Sequence, residues 1–149
     1  MRSKGMTLGF DLDGVICDID HYELKLLDTV RRVDPSLEYW YYVSRRVKLD
    51  PSVFKGEGDR VVIVTTRPKR YDWLTKKWLA EHSIQYNELV FVECPRRDQL
   101  MSFDQWCDVM AEAKARAIKQ HNIDVYFEDL PWVVDRLREL VGARVVRVV

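Results

Sequence analysis

The sequence predicts a single α/β domain of three layers, Rossmann-like, with a mainly parallel sheet covered by helices on both faces. Two observations lead there. Short apolar runs rich in β-branched residues alternate with segments of helical periodicity along the whole chain, and connections of about ten or more residues between strands imply right-handed crossovers. Three of the apolar runs also stop at acidic or hydroxyl residues: Asp11, Thr65 and Glu128-Asp129. A chain of 149 residues builds one hydrophobic core and leaves little for a second. No internal repeat, low-complexity tract or linker divides it, so residues 1–149 read as one domain.

The elements follow in order. Met6 to Phe10 is the first strand, running directly into Asp11-Leu12-Asp13-Gly14-Val15. Tyr22, Leu26, Leu27, Val30 and Val33 fall at helical spacing, and Asp34-Pro35-Ser36 ends that segment. Leu37 to Val47 is a second, aromatic-rich helical stretch. Asp50-Pro51 and Gly56-Glu57-Gly58-Asp59 form the loop into the second strand, Val61 to Val64. Tyr71, Leu74 and Trp78 give the next helix its apolar stripe, and Leu89 to Val92 is the third strand. Phe103 to His121 is helical, with Trp106, Met110, Ala113 and Ala117 on one face. Val125 to Phe127 is the fourth strand. Leu130, Val133, Val134, Leu137 and Leu140 form the clearest amphipathic stripe in the chain, and Arg144 to Val149 closes the sheet.

Parallel strands aligned side by side bring their carboxyl ends into one crevice, where open α/β sheets bind ligands. A carboxylate held there acts as a nucleophile toward a phosphoryl group. A second carboxylate two positions on donates and then accepts the proton. Gly14 lets the chain turn away without a side chain in the site.

These segments resemble the motifs of the haloacid dehalogenase (HAD) superfamily in its magnesium-dependent phosphatase branch: DLDGV the first, IVTTRP the second and YFEDLP the fourth. The stretch TTRPKRYDWLTKKWLAEHSIQYNELV is similar, more loosely, to small 5′-deoxyribonucleotidase-like members. The resemblance implies Asp11 as the nucleophile forming an aspartyl-phosphate, Asp13 as general acid/base and Thr65 as a hydroxyl donor to the phosphate, with Thr66 and Arg67 beside it on the substrate side. It implies Mg2+ held by the Asp11 carboxylate, the Asp13 backbone carbonyl and Asp129, with Glu128 joining them or holding a water. It also implies a first strand central in the sheet, flanked by the second and fourth. Residues 18–55 occupy the place of the family's first cap and form a small helical insert that covers the site only in part, unless a second protomer of a homo-oligomer supplies the lid. The family expects a cation that offsets Asp11 and the phosphate. Lys114 fits its spacing to Glu128-Asp129, although a helix starting near Phe103 sets it well along the axis at about 1.5 Å per residue, and Arg96 or Arg97 after the third strand are the alternatives. Arg67 either binds substrate phosphate or pairs with a neighbouring acid.

Asp13 discriminates within that resemblance. Halide leaves without a proton, so dehalogenase members lack the second carboxylate, and phosphate transfer is the supported chemistry. The expected substrate is a small phosphomonoester, a nucleotide being the first choice. A polynucleotide end-processing phosphatase and a non-catalytic module that keeps the fold are the alternatives, the last opposed by intact Asp11, Asp13, Thr65 and Asp129.

With 24 basic and 24 acidic residues the chain offers no global charge argument for nucleic acid or membrane binding. The start MRSKGMTLGF has no long apolar core, and no apolar run approaches the roughly 20 residues that span a bilayer. The expectation is a soluble, cytoplasmic protein. Cys17, Cys94 and Cys107 form no CxxC pair, which opposes a disulfide framework or zinc knuckle, and Cys17 reads as a buried filler. His21, His82 and His121 lack metal-ligand spacing and read as surface or capping residues. Tyr39, Trp40, Tyr41 and Tyr42 cannot all face one way on a helix, so base stacking competes there with core and interface roles. Arg67, Lys69, Arg70, Lys76 and Lys77 form a basic cluster that reads as a solvated helix face or a track for a nucleic-acid backbone.

Overall fold

The structure, a computed structural model, describes residues 5–20, 23, 26, 36–94 and 102–149. Among these residues, five parallel strands form one sheet: β1 (Thr7–Asp11), β2 (Arg60–Thr65), β3 (Glu88–Phe91), β4 (Val125–Glu128) and β5 (Arg144–Arg147), in the spatial order β3-β2-β1-β4-β5. β1 is central and lies between β2 and β4, so Asp11, Thr65 and Glu128 end adjacent strands. This is the three-layer parallel α/β arrangement that the alternation of apolar runs and helical segments implies.

The two sides of the sheet bury different sets. Leu8, Phe10, Val61 and Ile63 pack with Leu74, Trp78 and Leu79 of α2 (Asp72–Glu81). The Phe10 and Phe127 rings stack there at 4.4 Å, 2° from parallel. On the opposite side Val62, Val64, Tyr126 and Val145 pack with Met110, Ala111 and Ile118 of α3 (Phe103–Gln120) and with Val133, Val134 and Leu137 of α4 (Pro131–Leu140). Ala111, Ala113, Ala115 and Ala117 are buried along α3. Its start is fixed by a capping box in which Ser102 accepts from the Gln105 N–H and Gln105 accepts from the Ser102 N–H. α4 begins on Pro131, where a missing N–H costs nothing. His82 and His121 are the C-cap residues of α2 and α3.

β1 carries Gly9 next to Tyr126 of β4. A Cβ at Gly9 would lie 3.0 Å from Tyr126 Cδ1 and 2.8 Å from two Ile123 side-chain atoms. Glycine at this position is what admits the tyrosine ring under α3.

One boundary differs from expectation. The aromatic helix α1 (Ser36–Val43) ends four residues before Val47. The following residues instead run along the loop after β1: the Asp18 N–H donates to the Arg46 carbonyl at 2.8 Å and the Lys48 N–H to the Ile16 carbonyl at 2.7 Å. Cys17 and Val47 form an antiparallel bridge. These backbone groups are satisfied by pairing with the loop after β1 instead of by another helical turn. The amphipathic segment expected from Tyr22 to Val33 lies mostly outside the described residues, of which Glu23 and Leu26 are helical. Among the described residues no helix is long and apolar enough to cross a membrane.

Candidate active site

Asp11 is the last residue of β1, and period-2 alternation sets its side chain on the same side of the sheet as Gly9, toward α3. It is buried, as are Glu128 at the end of β4 and Lys114 in α3. The lysine reaches down from its helix, donating to Glu128 Oε1 at 2.5 Å and standing 3.3 Å from Asp11 Oδ2. The long, flexible stem spans the distance that the axial rise of α3 had set against it. Leu12 N–H donates to Asp11 Oδ1 at 2.9 Å, and Asp129 N–H to Glu128 Oε2 at 3.0 Å. Both Glu128 oxygens are therefore engaged.

Asp11, Glu128 and Asp129 each offer a carboxylate oxygen within 4.8 Å of the others. Three carboxylates around one ammonium leave an excess of negative charge in a buried place. Desolvation pushes the Asp11 carboxyl well above the usual range, neighbouring Glu128 raises it further, and Lys114 offsets this in part. An oxygen set of this charge fits a hard divalent cation such as magnesium. Gly14 helps shape it. At φ +89° it takes a backbone conformation that side-chain-bearing residues rarely adopt, and a Cβ there would fall 2.0 Å from Asp129 Oδ2.

Asp13 faces a different group. Arg67 Nε lies 3.0 Å from both of its carboxylate oxygens, and Nη2 donates to Oδ1 at 2.5 Å. The guanidinium is buried. It is fixed from the other sides by Thr75 Oγ1 at 3.2 Å, by the Cys17 thiol at 3.6 Å and by the Tyr42 ring, whose centroid lies 4.1 Å away. Of the two roles open for Arg67, this geometry is the pairing with a neighbouring acid. Such a planar, forked contact holds a carboxylate in orientation as well as in place. Burial pushes the Cys17 thiol up to about 12, so it is a protonated neighbour and not a nucleophile.

Thr65 is buried, and its hydroxyl accepts from the Arg67 N–H at 3.1 Å, leaving its own proton to be donated. Thr66 is half-buried next to it. The structure thus brings together Asp11, Lys114, Glu128 and Asp129 on one side of the loop, and Asp13 with Arg67 on the other. Arg96 and Arg97 lie outside the described residues. Thr75 and Tyr126 are site neighbours to which the sequence reading gave no role, and Tyr42 comes from the aromatic cluster that it singled out. For Thr75 the signal was a polar residue inside the apolar α2 stripe.

The raised Asp11 carboxyl has a consequence for stability. Its folded form holds a proton that the unfolded chain gives up in the ordinary carboxylate range, so the cation-free protein loses stability as pH rises from that range through the Asp11 transition. A cation that binds the ionised cluster stabilises by mass action and competes with that proton. Thermal unfolding followed from pH 5 to pH 8 is expected to show a Tm gain from magnesium over chelator that widens with pH, whereas a gain that is absent or shrinks with pH contradicts the assignment.

Neither a protein-family model nor a curated protein matches the chain. Among solved structures it is similar to a chain of the Pnkp1/Rnl/Hen1 RNA repair complex, with a TM-score of 0.66 and 16% identity over 97% of this chain and 42% of that one. A further structure of the Pnkp1/Rnl/Hen1 complex gives a TM-score of 0.64 and 17% identity over 98% of this chain and 46% of that one. A phosphoserine phosphatase, as a phospho-aspartyl intermediate analogue, aligns over 95% of this chain and 86% of that one at a TM-score of 0.49 and 11% identity. The chain spans less than half the length of the RNA repair chains it matches. What is shared is the fold, a Rossmann-like α/β domain with a five-stranded parallel sheet, the architecture that the haloacid dehalogenase resemblance implies.

Proposed function

We propose that the chain is a phosphatase that hydrolyses a phosphomonoester through a phosphoryl group carried on Asp11. The observation that carries this reading is the placement of Asp11 at the end of the central strand, 3.3 Å from the buried Lys114 ammonium and inside the Asp11, Glu128, Asp129 cluster. In the first step an Asp11 oxygen attacks phosphorus, the bond from phosphorus to the ester oxygen breaks, and the departing oxygen takes a proton from Asp13. In the second, Asp13 takes a proton from water as that water attacks the phosphoryl group, releasing inorganic phosphate and restoring the Asp11 carboxylate. Lys114 stabilises charge on the phosphoryl oxygens, and Thr65 donates a hydrogen bond to them. Asp11 and Asp129, supported by Glu128, would hold a magnesium ion, whose contribution is to neutralise charge on the transferring group and to align it with Asp11.

The Arg67 contacts hold both Asp13 carboxylate oxygens in one orientation at the site. Proton donation in the first step requires that pairing to loosen as the leaving group arrives. Arg67 is in this reading a positioning residue for Asp13.

The substrate we favour carries a nucleobase. α1 and α2 together present an aromatic surface: Tyr39 and Trp73 stack at 5.8 Å, and Trp40 meets Tyr39 edge-on at 5.2 Å. Trp40 and Trp73 are 60% and 56% exposed. One turn along α1, Tyr42 lies over Arg67, so this surface adjoins the Asp13 side of the site. A base stacked on such rings gains about 1–3 kcal/mol. Residues 18–55, which include α1, are in this reading the small cap that selects substrate. A polynucleotide end is the second reading. Lys69 and Arg70 are exposed directly beside the site, and the chains that share the fold belong to an RNA repair complex. Lys76 and Lys77 pair with Asp72 and Glu81 on their own helix, which weakens a longer basic track.

With magnesium and a generic aryl phosphate, Asp11→Asn is expected to lower kcat by roughly 10³-fold or more with a near-native unfolding curve, and Asp13→Asn to lower it by about 10²–10⁴-fold with some loss of stability, because the buried Arg67 guanidinium loses its carboxylate partner. Phosphate release at the parent rate from Asp11→Asn sinks the mechanism. A panel of mononucleotides and end-phosphorylated oligonucleotides then addresses the substrate. Trp40→Ala is expected to raise KM for the preferred nucleotide by roughly fivefold to a hundredfold and to leave kcat for the aryl phosphate unchanged. Oligonucleotide turnover that falls steeply with salt selects the polynucleotide reading, and indifference of every KM to Trp40 removes the aromatic surface from substrate binding.

A further inference from the structure

Tyr126 sits in the middle of β4, two residues before Glu128 and on the same side of the sheet. It is fully buried, and among the described residues its phenolic oxygen has no hydrogen-bond partner. A buried hydroxyl without a partner costs stability, and phenylalanine would fill the same volume without that cost. Here the tyrosine is accommodated at further expense, because β1 gives up a side chain at Gly9 to admit the ring. Its charged neighbours are Lys114, Asp11, Glu128 and Asp129, with Lys114 the strongest influence, and burial keeps the phenol protonated. An unpartnered hydroxyl beside four charged groups of the site is a different matter from an ordinary core tyrosine.

Lys114 supplies the other half. An ammonium has three N–H donors, and the contacts of Lys114 are to Glu128 Oε1 and Asp11 Oδ2. The Asp11 contact is the longer one, 3.3 Å against 2.5 Å. It is also the one that chemistry disturbs, since Asp11 has to turn toward phosphorus. We infer that Tyr126 is a positioning residue for Lys114: its phenolic oxygen accepts a Lys114 N–H when Asp11 is drawn to the phosphoryl group, and so holds the buried ammonium in place through the reaction. The inference rests on the phosphatase reading and extends it to a residue that makes no contact with substrate.

The test is Tyr126→Phe, which removes one oxygen and keeps the ring. Measured on the full chain with magnesium and an aryl phosphate, kcat is expected to fall roughly tenfold with KM little changed, while Tm stays the same or rises because an unpartnered hydroxyl is gone. In a Lys114→Met background the same change is expected to have no further effect on the affinity for inorganic phosphate, read by calorimetry. Unaltered kcat in Tyr126→Phe overturns the inference. So does a joint loss of kcat and Tm, which marks a packing role, and so does an equal effect with and without Lys114. Failure of the phosphatase reading itself is separate, because the parent protein would then release no phosphate.

Discussion

The structure around the strand ends depends on one buried ammonium. Lys114 comes from the middle of α3, is withdrawn from water, and is held between Glu128 and Asp11. Taking an ammonium out of water costs several kcal/mol unless carboxylates and hydrogen bonds compensate, so the positions of α3, β1 and β4 are tied to one another. The backbone N–H groups of Leu12 and Asp129 satisfy the other oxygens of Asp11 and Glu128. Burial of this carboxylate set pushes the Asp11 carboxyl up, and the neighbouring Glu128 charge raises it further.

The loop after β1 separates two tasks by one residue. Asp11 faces the α3 layer and its lysine, while Asp13 is held by Arg67, which follows β2 and is itself fixed by Thr75 of α2 and Tyr42 of α1. In the proposed reaction, the side chain that would take phosphorus and the side chain that would move protons are thus oriented by different layers. Tyr42 of α1 lies against the Arg67 guanidinium that holds Asp13, whereas the Lys114 contacts are to Glu128 and Asp11. The segment after α1 is tied to the same loop by the Lys48 ammonium, which donates to the Gly14 carbonyl at 2.7 Å.

Much of this was legible in the sequence. Val61 to Val64 and Val125 to Phe127 are runs that suit only buried strands, and the residues that end them are the ones at the crevice. The central position of β1 came with the family resemblance, not from periodicity. Helical propensity alone carried the aromatic helix to Val47, because nothing local announces that residues 46 and 48 pair with the loop after β1. The partner of Arg67 depends on a contact between residues 54 positions apart, which no spacing rule reaches. Lys114 was readable by spacing, yet its reach is a property of side-chain length that helix geometry hides. Tyr126 was unreadable for a plainer reason: in a buried strand it looks like one more aromatic, and only the empty Cβ position of Gly9 and the unpartnered oxygen distinguish it.

The central claim is that phosphorus passes through Asp11. Rapid acid quenching of the magnesium-loaded protein during turnover of a good phosphomonoester, followed by mass spectrometry of the peptides, tests it directly. The account predicts one added phosphoryl group on the peptide containing Asp11, stabilised against loss in Asp13→Asn. Turnover with no phosphoryl group on that peptide at any time point, or with the group on another residue, contradicts it.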